Sequence, residues 1–134
     1  HPDKVVASGS VSLDRGATDV HVGLGYTSIL QTMRAEAGGT EGTSQGKTKR
    51  IRDVTVRLYR SVGAKIGPRE AVLDIIPFRS SAELMDQAVP LFTGDKTIEF
   101  DGDFDRDGFV VVQQDQPLPI TVVAIYPRLQ TFDR

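Results

Sequence analysis

The stretch DGDFDRDGFVVV, residues 101–112, alternates carboxylates at Asp103, Asp105 and Asp107 and follows the third with Gly108. Hard carboxylate oxygens at alternate positions, with a glycine to turn the chain, open a calcium loop of the D-x-D-x-D-G kind. A helix-flanked loop of that kind also needs a bidentate glutamate at its twelfth position. Counting from Asp103, that position is Gln114, a neutral amide. The flanking runs, KTIEF before and FVVVQQ after, are β-branched and apolar, so strands are expected on both sides. The segment therefore reads as a β-hairpin with an acidic connection, where Asp and Gly serve the turn. Asp103, Asp105 and Asp107 stand as a candidate calcium loop of another type, and no other cofactor is expected.

Three further stretches approach a chemical motif and miss it. GTSQGKT, residues 42–48, resembles a phosphate-binding loop, but Glu41 occupies the place of its first glycine and the glycine spacing is one short. A strand-like run, KRIRDVTVRLY, follows it, where phosphate binding needs a helix N-terminus. GLGYTS, residues 23–28, lacks the third glycine of a dinucleotide fingerprint. His21 shares an alternating run with Asp19, a pair able to orient a base, but no nucleophile announces itself nearby. No catalytic residue is assigned, and an enzyme is not expected.

The elements that position these residues follow a period of two. RDVTVRLY places Val54, Val56 and Leu58 on one face and Thr55, Arg57 and Tyr59 on the other, as a half-buried strand does. SGSVSL and TDVHVGL alternate in the same way and are expected to be strands, as is AVLDIIPF, ended by Pro77. LPITVVAIYP is the most apolar stretch and is expected to be a central strand covered on both faces. Only RSSAELMDQ could form a helical turn, capped by Ser80 or Ser81. Gly- and Thr-rich loops separate the strands, the longest lying between GYTSIL and the strand that begins near Lys49. The expected fold is all-β: an antiparallel β-sandwich or barrel-like domain with long Gly/Thr-rich loops and at most one short helix.

A length of 134 residues suits a single β-rich domain spanning 1–134. A start at His rather than Met is expected of the C-terminal piece of a longer chain. There is no cysteine, hence no disulfide frame and no thiolate chemistry. The net charge of −2 gives no overall pull toward nucleic acid or anionic lipid, and Tyr59 alone interleaves the basic run. No apolar run approaches the ~20 residues of a membrane span.

Charge is unevenly spread along the chain. Residues 47–69 carry Lys47, Lys49, Arg50, Arg52, Arg57, Arg60, Lys65 and Arg69 against Asp53, while residues 83–115 are strongly acidic. Such a split suits two faces that meet on neighbouring subunits. The expected contact joins Arg50, Arg52, Arg57 and Arg60 to Asp103, Asp105 and Asp107 of another copy.

Three blocks taken together carry a resemblance: HVGLGYTSILQTMRAE, SQGKTKRIRDVTVRLYRSVGAKIG, and LFTGDKTIEFDGDFDRDGFVVVQQDQPLPITVVAIYPRL. They resemble the C-terminal region of a family of bacteriophage tail structural proteins of the tail-tube, nozzle or stabilisation type. Some members carry a label borrowed from a β-rich domain of ubiquitin-activating enzymes. The resemblance spans about residues 20–129. It implies a virion protein, assembled in the bacterial cytoplasm, that joins copies of itself and other tail proteins. The alternative is a receptor- or carbohydrate-binding β-sandwich of a phage tail that meets the host surface, with a structural calcium.

Overall fold

The structure, a computed structural model, describes residues 4–18, 20, 22–37, 42–85, 87–100 and 102–132. Seven strands form along it: β1 (Ser28–Gln31), β2 (Thr48–Ser61), β3 (Lys65–Arg69), β4 (Val72–Ile75), β5 (Phe92–Glu99), β6 (Val111–Gln114) and β7 (Val122–Phe132). They make a four-stranded sheet, ordered β1-β6-β3-β4, and a three-stranded sheet, ordered β5-β2-β7, with every pairing antiparallel. The fold is all-β and sandwich-like, as the period-two pattern requires, and the described residues contain no helix. None of the described helices is long and apolar enough to cross a membrane, there being none at all.

The core lies between the two sheets. Val54, Val56 and Leu58 of β2 are essentially inaccessible, and Ile66 of β3, Val110, Val112, Ile76 and Phe100 close over them. On β2 the buried positions run Lys49, Ile51, then Val54, Val56, Leu58, then Ser61. Both breaks in that alternation are β-bulges, one at Arg52 and one at Tyr59–Arg60. An extra residue at each bulge resets which face the next side chains take.

Several expected elements take other places. SGSVSL and the described residues of TDVHVGL form no strand: from Lys4 to Thr27 the described chain makes one isolated bridge, Ala7–Ser10. Asp19 and His21 lie outside the described residues. Alternation alone does not make a strand without a paired neighbour. The apolar LPITVVAIYP run gives β7, which is an edge strand rather than a central one, and β2 is the central strand of that sheet. Pro127 accounts for this, since a residue without an N–H is tolerated where that position faces solvent. The described residues of RSSAELMDQ make turns rather than a helix: the Glu83 N–H donates to the Ser80 carbonyl at 3.2 Å and the Gln87 N–H to the Leu84 carbonyl at 3.3 Å.

The acidic segment is not a hairpin connection. β5 belongs to one sheet and β6 to the other, so residues 102–108 carry the chain across the sandwich. Buried Phe100 anchors its entry, with its N–H donating to the Arg52 carbonyl at 2.9 Å. Buried Val110 anchors its exit. The long loop after β1 likewise joins strands of different sheets. Its base is gathered by Glu36, whose carboxylate accepts the Ser44 N–H and the Thr43 hydroxyl, each at 2.8 Å. These bonds, that from the Ser44 amide foremost, hold the Glu36 carboxyl below its ordinary pKa.

Candidate interaction surface

The acidic crossing lies against the start of β2 in the same chain. Lys49 and Asp105 exchange both backbone hydrogen bonds at 2.8 Å, a two-residue piece of antiparallel ladder. The Lys49 side chain then runs inward, is 1% exposed, and donates from Nζ to the Ala35 carbonyl at 3.0 Å. Lys49 is thus removed from the basic surface to which its residue type assigned it. Phe104 packs edge-on against Phe132 of β7, with ring centroids 4.9 Å apart. The Arg50 guanidinium stands 5.7 Å over the Phe104 ring.

The three carboxylates of this crossing serve different ends. Asp105 Oδ1 accepts the N–H groups of Arg106 at 2.6 Å and Asp107 at 3.2 Å, the geometry of an Asx turn. Asp107 pairs with Arg34 at 2.8 Å. Asp103 is exposed. Among the described residues, no three or more His, Asp or Glu groups gather in a way that could hold a metal ion. Gln114, at the far end of β6, is buried and turns inward, its amide donating to the carbonyls of Val62 at 2.9 Å and Leu118 at 3.2 Å.

The arginines of β2 divide into one that a carboxylate holds and three that none among the described residues holds. Arg57 faces Asp95 across the β2–β5 pair, with Nε and Nη2 donating to the two carboxylate oxygens. Its guanidinium also lies 5.4 Å over the Tyr126 ring of β7. These partners raise the Arg57 pKa, the Asp95 hydrogen bonds most, and the same bonds lower that of Asp95. The acidic partner expected on another subunit is therefore, for Arg57, supplied inside its own chain.

Arg50, Arg52 and Arg60 are exposed, and no carboxylate among the described residues pairs with them. Arg52 and Arg60 occupy the two bulges of β2. Arg60 adopts φ 44° there, and its N–H donates to Thr93 Oγ1 at 3.0 Å. Bulges re-aim side chains away from the regular ladder, so this placement bears on how both guanidinia are presented.

Arg50 and Arg52 line an open depression of about 690 Å³, together with Asp53, Glu99, Phe100 and Gln130. Arg128 reaches Asp53 at 3.5 Å from β7. The lining is mainly polar, so what this surface can do is exchange charged hydrogen bonds with carboxylates of a partner. Sequence reasoning singled out Arg50, Arg52, Arg57 and Arg60 as basic positions, and all four lie on β2. It missed that Arg57 is engaged by Asp95, because a register that joins residues 38 apart is not legible in local pattern. No protein-family model and no curated protein matches the chain.

Proposed function

We propose that this chain is a structural, non-enzymatic component of a bacteriophage tail, of the tail-tube or nozzle type, which acts by symmetric association with copies of itself and other tail proteins. The observation that carries this reading is the set of exposed guanidinia of Arg50, Arg52 and Arg60 on β2, open to carboxylates of a neighbour. The resemblance of residues 20–129 to tail structural proteins supports it, as does a cysteine-free β-sandwich with split charge. Such a protein works by rigid packing and complementary surfaces, and its place is the virion after assembly in the bacterial cytoplasm. Asp103, exposed on the acidic crossing, is the carboxylate we assign to the opposite side of the contact.

Native mass spectrometry of the chain and of the triple variant Arg50→Glu, Arg52→Glu, Arg60→Glu tests this. The parent is expected to form a closed oligomer, and the variant to fall to monomer with its fold intact by circular dichroism. An unchanged oligomer in the variant would remove the charged contact. The alternative, a carbohydrate-binding module, draws on the exposure of Tyr26, Tyr59 and Tyr126; specific glycan binding by a monomer would favour it.

A further inference from the structure

The segment before β1 is apolar at alternate positions, and its described residues pair with no strand. Val20, Val22, Leu24 and Tyr26 recur at every second residue, as Val11 and Leu13 do further back. Val22 is 80% exposed, Leu24 92% and Tyr26 74%. No described strand pairs with this arm. A period-two apolar run fits the edge of a sheet, where backbone groups supply the bonds and alternate side chains supply the burial.

The four sheet edges among the described strands are not equally open. On β5, Lys96 shares the core-side face with Val56, its register partner, and its ammonium sits 4.6 Å over the Phe92 ring and 5.6 Å over Phe78. An inward-pointing charge blunts an edge against further pairing. On β7, Pro127 removes a donor from the outer edge. β1 and β4 are the opposite edges of one sheet and neither holds a proline; on β4, Asp74 stands opposite buried Ile66 but stays exposed, with no aromatic ring over it among the described residues. Val72 and Ile75 of β4 are 44% and 72% exposed, apolar side chains at an unpaired edge. β1 carries no charged residue at all.

We propose that the arm of one copy, centred on Val22–Tyr26, adds as a strand to the β4 edge of a second copy. This rests on the self-association reading above and specifies its geometry. The arm runs straight into β1 at Ser28, so it leaves the sheet from the edge opposite β4. Each copy then presents an arm on one side and a receiving edge on the other. A contact between unlike surfaces of this kind is heterologous and runs head to tail, closing into a ring when the rotation permits. One contact covers the exposed apolar positions of both the arm and the receiving strand. It also brings β1 of one copy toward β4 of the next.

The absence of cysteine makes the test specific. The double variant Val22→Cys, Ile75→Cys of the full chain is oxidised and run without reductant, beside native mass spectra of the parent. A ladder of dimers, trimers and larger species supports the proposal. A fast-migrating monomer means that the arm lies on its own β4 edge and overturns it. A parent that assembles while the variant forms no disulfide also overturns it, and leaves self-association through another surface standing. A parent that stays monomeric, with no cross-link in the variant, removes both readings. The single variant Ile29→Cys checks the symmetric arrangement of β1 against β1: abundant dimer there, with no ladder in the double variant, overturns the arm contact. Val22→Asp with Leu24→Asp gives an independent reading. Both sites are exposed in the single chain, so its melting temperature is expected to hold while self-association weakens at least tenfold.

Discussion

Arg57 and Asp95 stand opposite each other on β2 and β5, and the guanidinium grips both carboxylate oxygens, at 2.7 and 2.8 Å. A bidentate pair fixes orientation as well as distance, and here it ties the central strand of the three-stranded sheet to its edge.

The pair has a pH signature. The Arg57 hydrogen bonds lower the Asp95 pKa, while the arginine stays charged throughout the accessible range. A group whose folded pKa is depressed contributes stability above its unfolded pKa, ~3.9 for Asp, and loses it as pH falls through the folded value. Carboxylate NMR is expected to show Asp95 titrating below an ordinary aspartate, and Arg57→Met should move it back up. An Asp95 titration indifferent to Arg57→Met would contradict the pairing. Both groups are solvent-exposed, so the effect on unfolding is expected to be small and to shrink with salt.

Asp105 discriminates between a turn and a metal loop. Its Oδ1 accepts two backbone N–H groups, a role that an asparagine amide oxygen fills equally well. Asp105→Asn is therefore expected to leave stability within about 0.5 kcal/mol, and Asp105→Ala to cost ~1 kcal/mol, as a lost capping acceptor does. Calcium titration followed by melting temperature completes the comparison. A calcium-dependent rise in the parent that disappears in Asp105→Asn would make this crossing an ion site.

How much of this was legible beforehand depended on whether the deciding partner was local. Val54, Val56 and Leu58 could be placed on the core face because strand alternation is a property of neighbouring residues. The β7 run reads as a central strand because apolarity on both faces signals one, yet Val123 and Tyr126 are 59% and 48% exposed. The acidic crossing looked like a hairpin because two strand-like runs flank a turn. Only the burial of Phe100 and Val110 between the sheets routes it elsewhere. The site divides in the same way. The basic character of Arg50, Arg52 and Arg60 is written in their types, but the bulges that set two of them off the ladder depend on pairing with β5 and β7.

Lys49 is the residue whose type is most misleading. It is buried, with its stem inside and its ammonium on the Ala35 carbonyl. Either substitution leaves the Ala35 carbonyl without its donor, but alanine also leaves a void, whereas methionine keeps most of the packing. Lys49→Ala is expected to cost about 2–4 kcal/mol, and Lys49→Met clearly less. Chemical denaturation of the two variants checks the order. Equal losses would mean that the ammonium, not the stem, is what this position supplies.

Gly67 sets the approach of β3 to β4, and with it the edge on which the arm is proposed to dock. A Cβ at this position would fall 1.8 Å from the Val72 carbonyl oxygen and 2.8 Å from its carbon, both backbone atoms that cannot swing aside. Gly108 differs in kind. It has φ 60°, and its Cβ would fall 2.8 Å from Cδ and 3.2 Å from Cγ of the Lys49 stem, side-chain rather than backbone atoms. Gly67→Ala must push β4 off β3, and is expected to cost more than Gly108→Ala, whose strain of ~1–3 kcal/mol is local to the turn. Hydrogen exchange separates the two. Gly67→Ala is expected to deprotect the Ile76 N–H, which donates to the Ala64 carbonyl at 3.0 Å beside β4. Gly108→Ala is expected to deprotect the Lys49–Asp105 pair and leave Ile76 as it was. If Gly67→Ala left Ile76 protected, the close packing of β4 on β3 would be refuted, and with it the receiving edge that the arm requires.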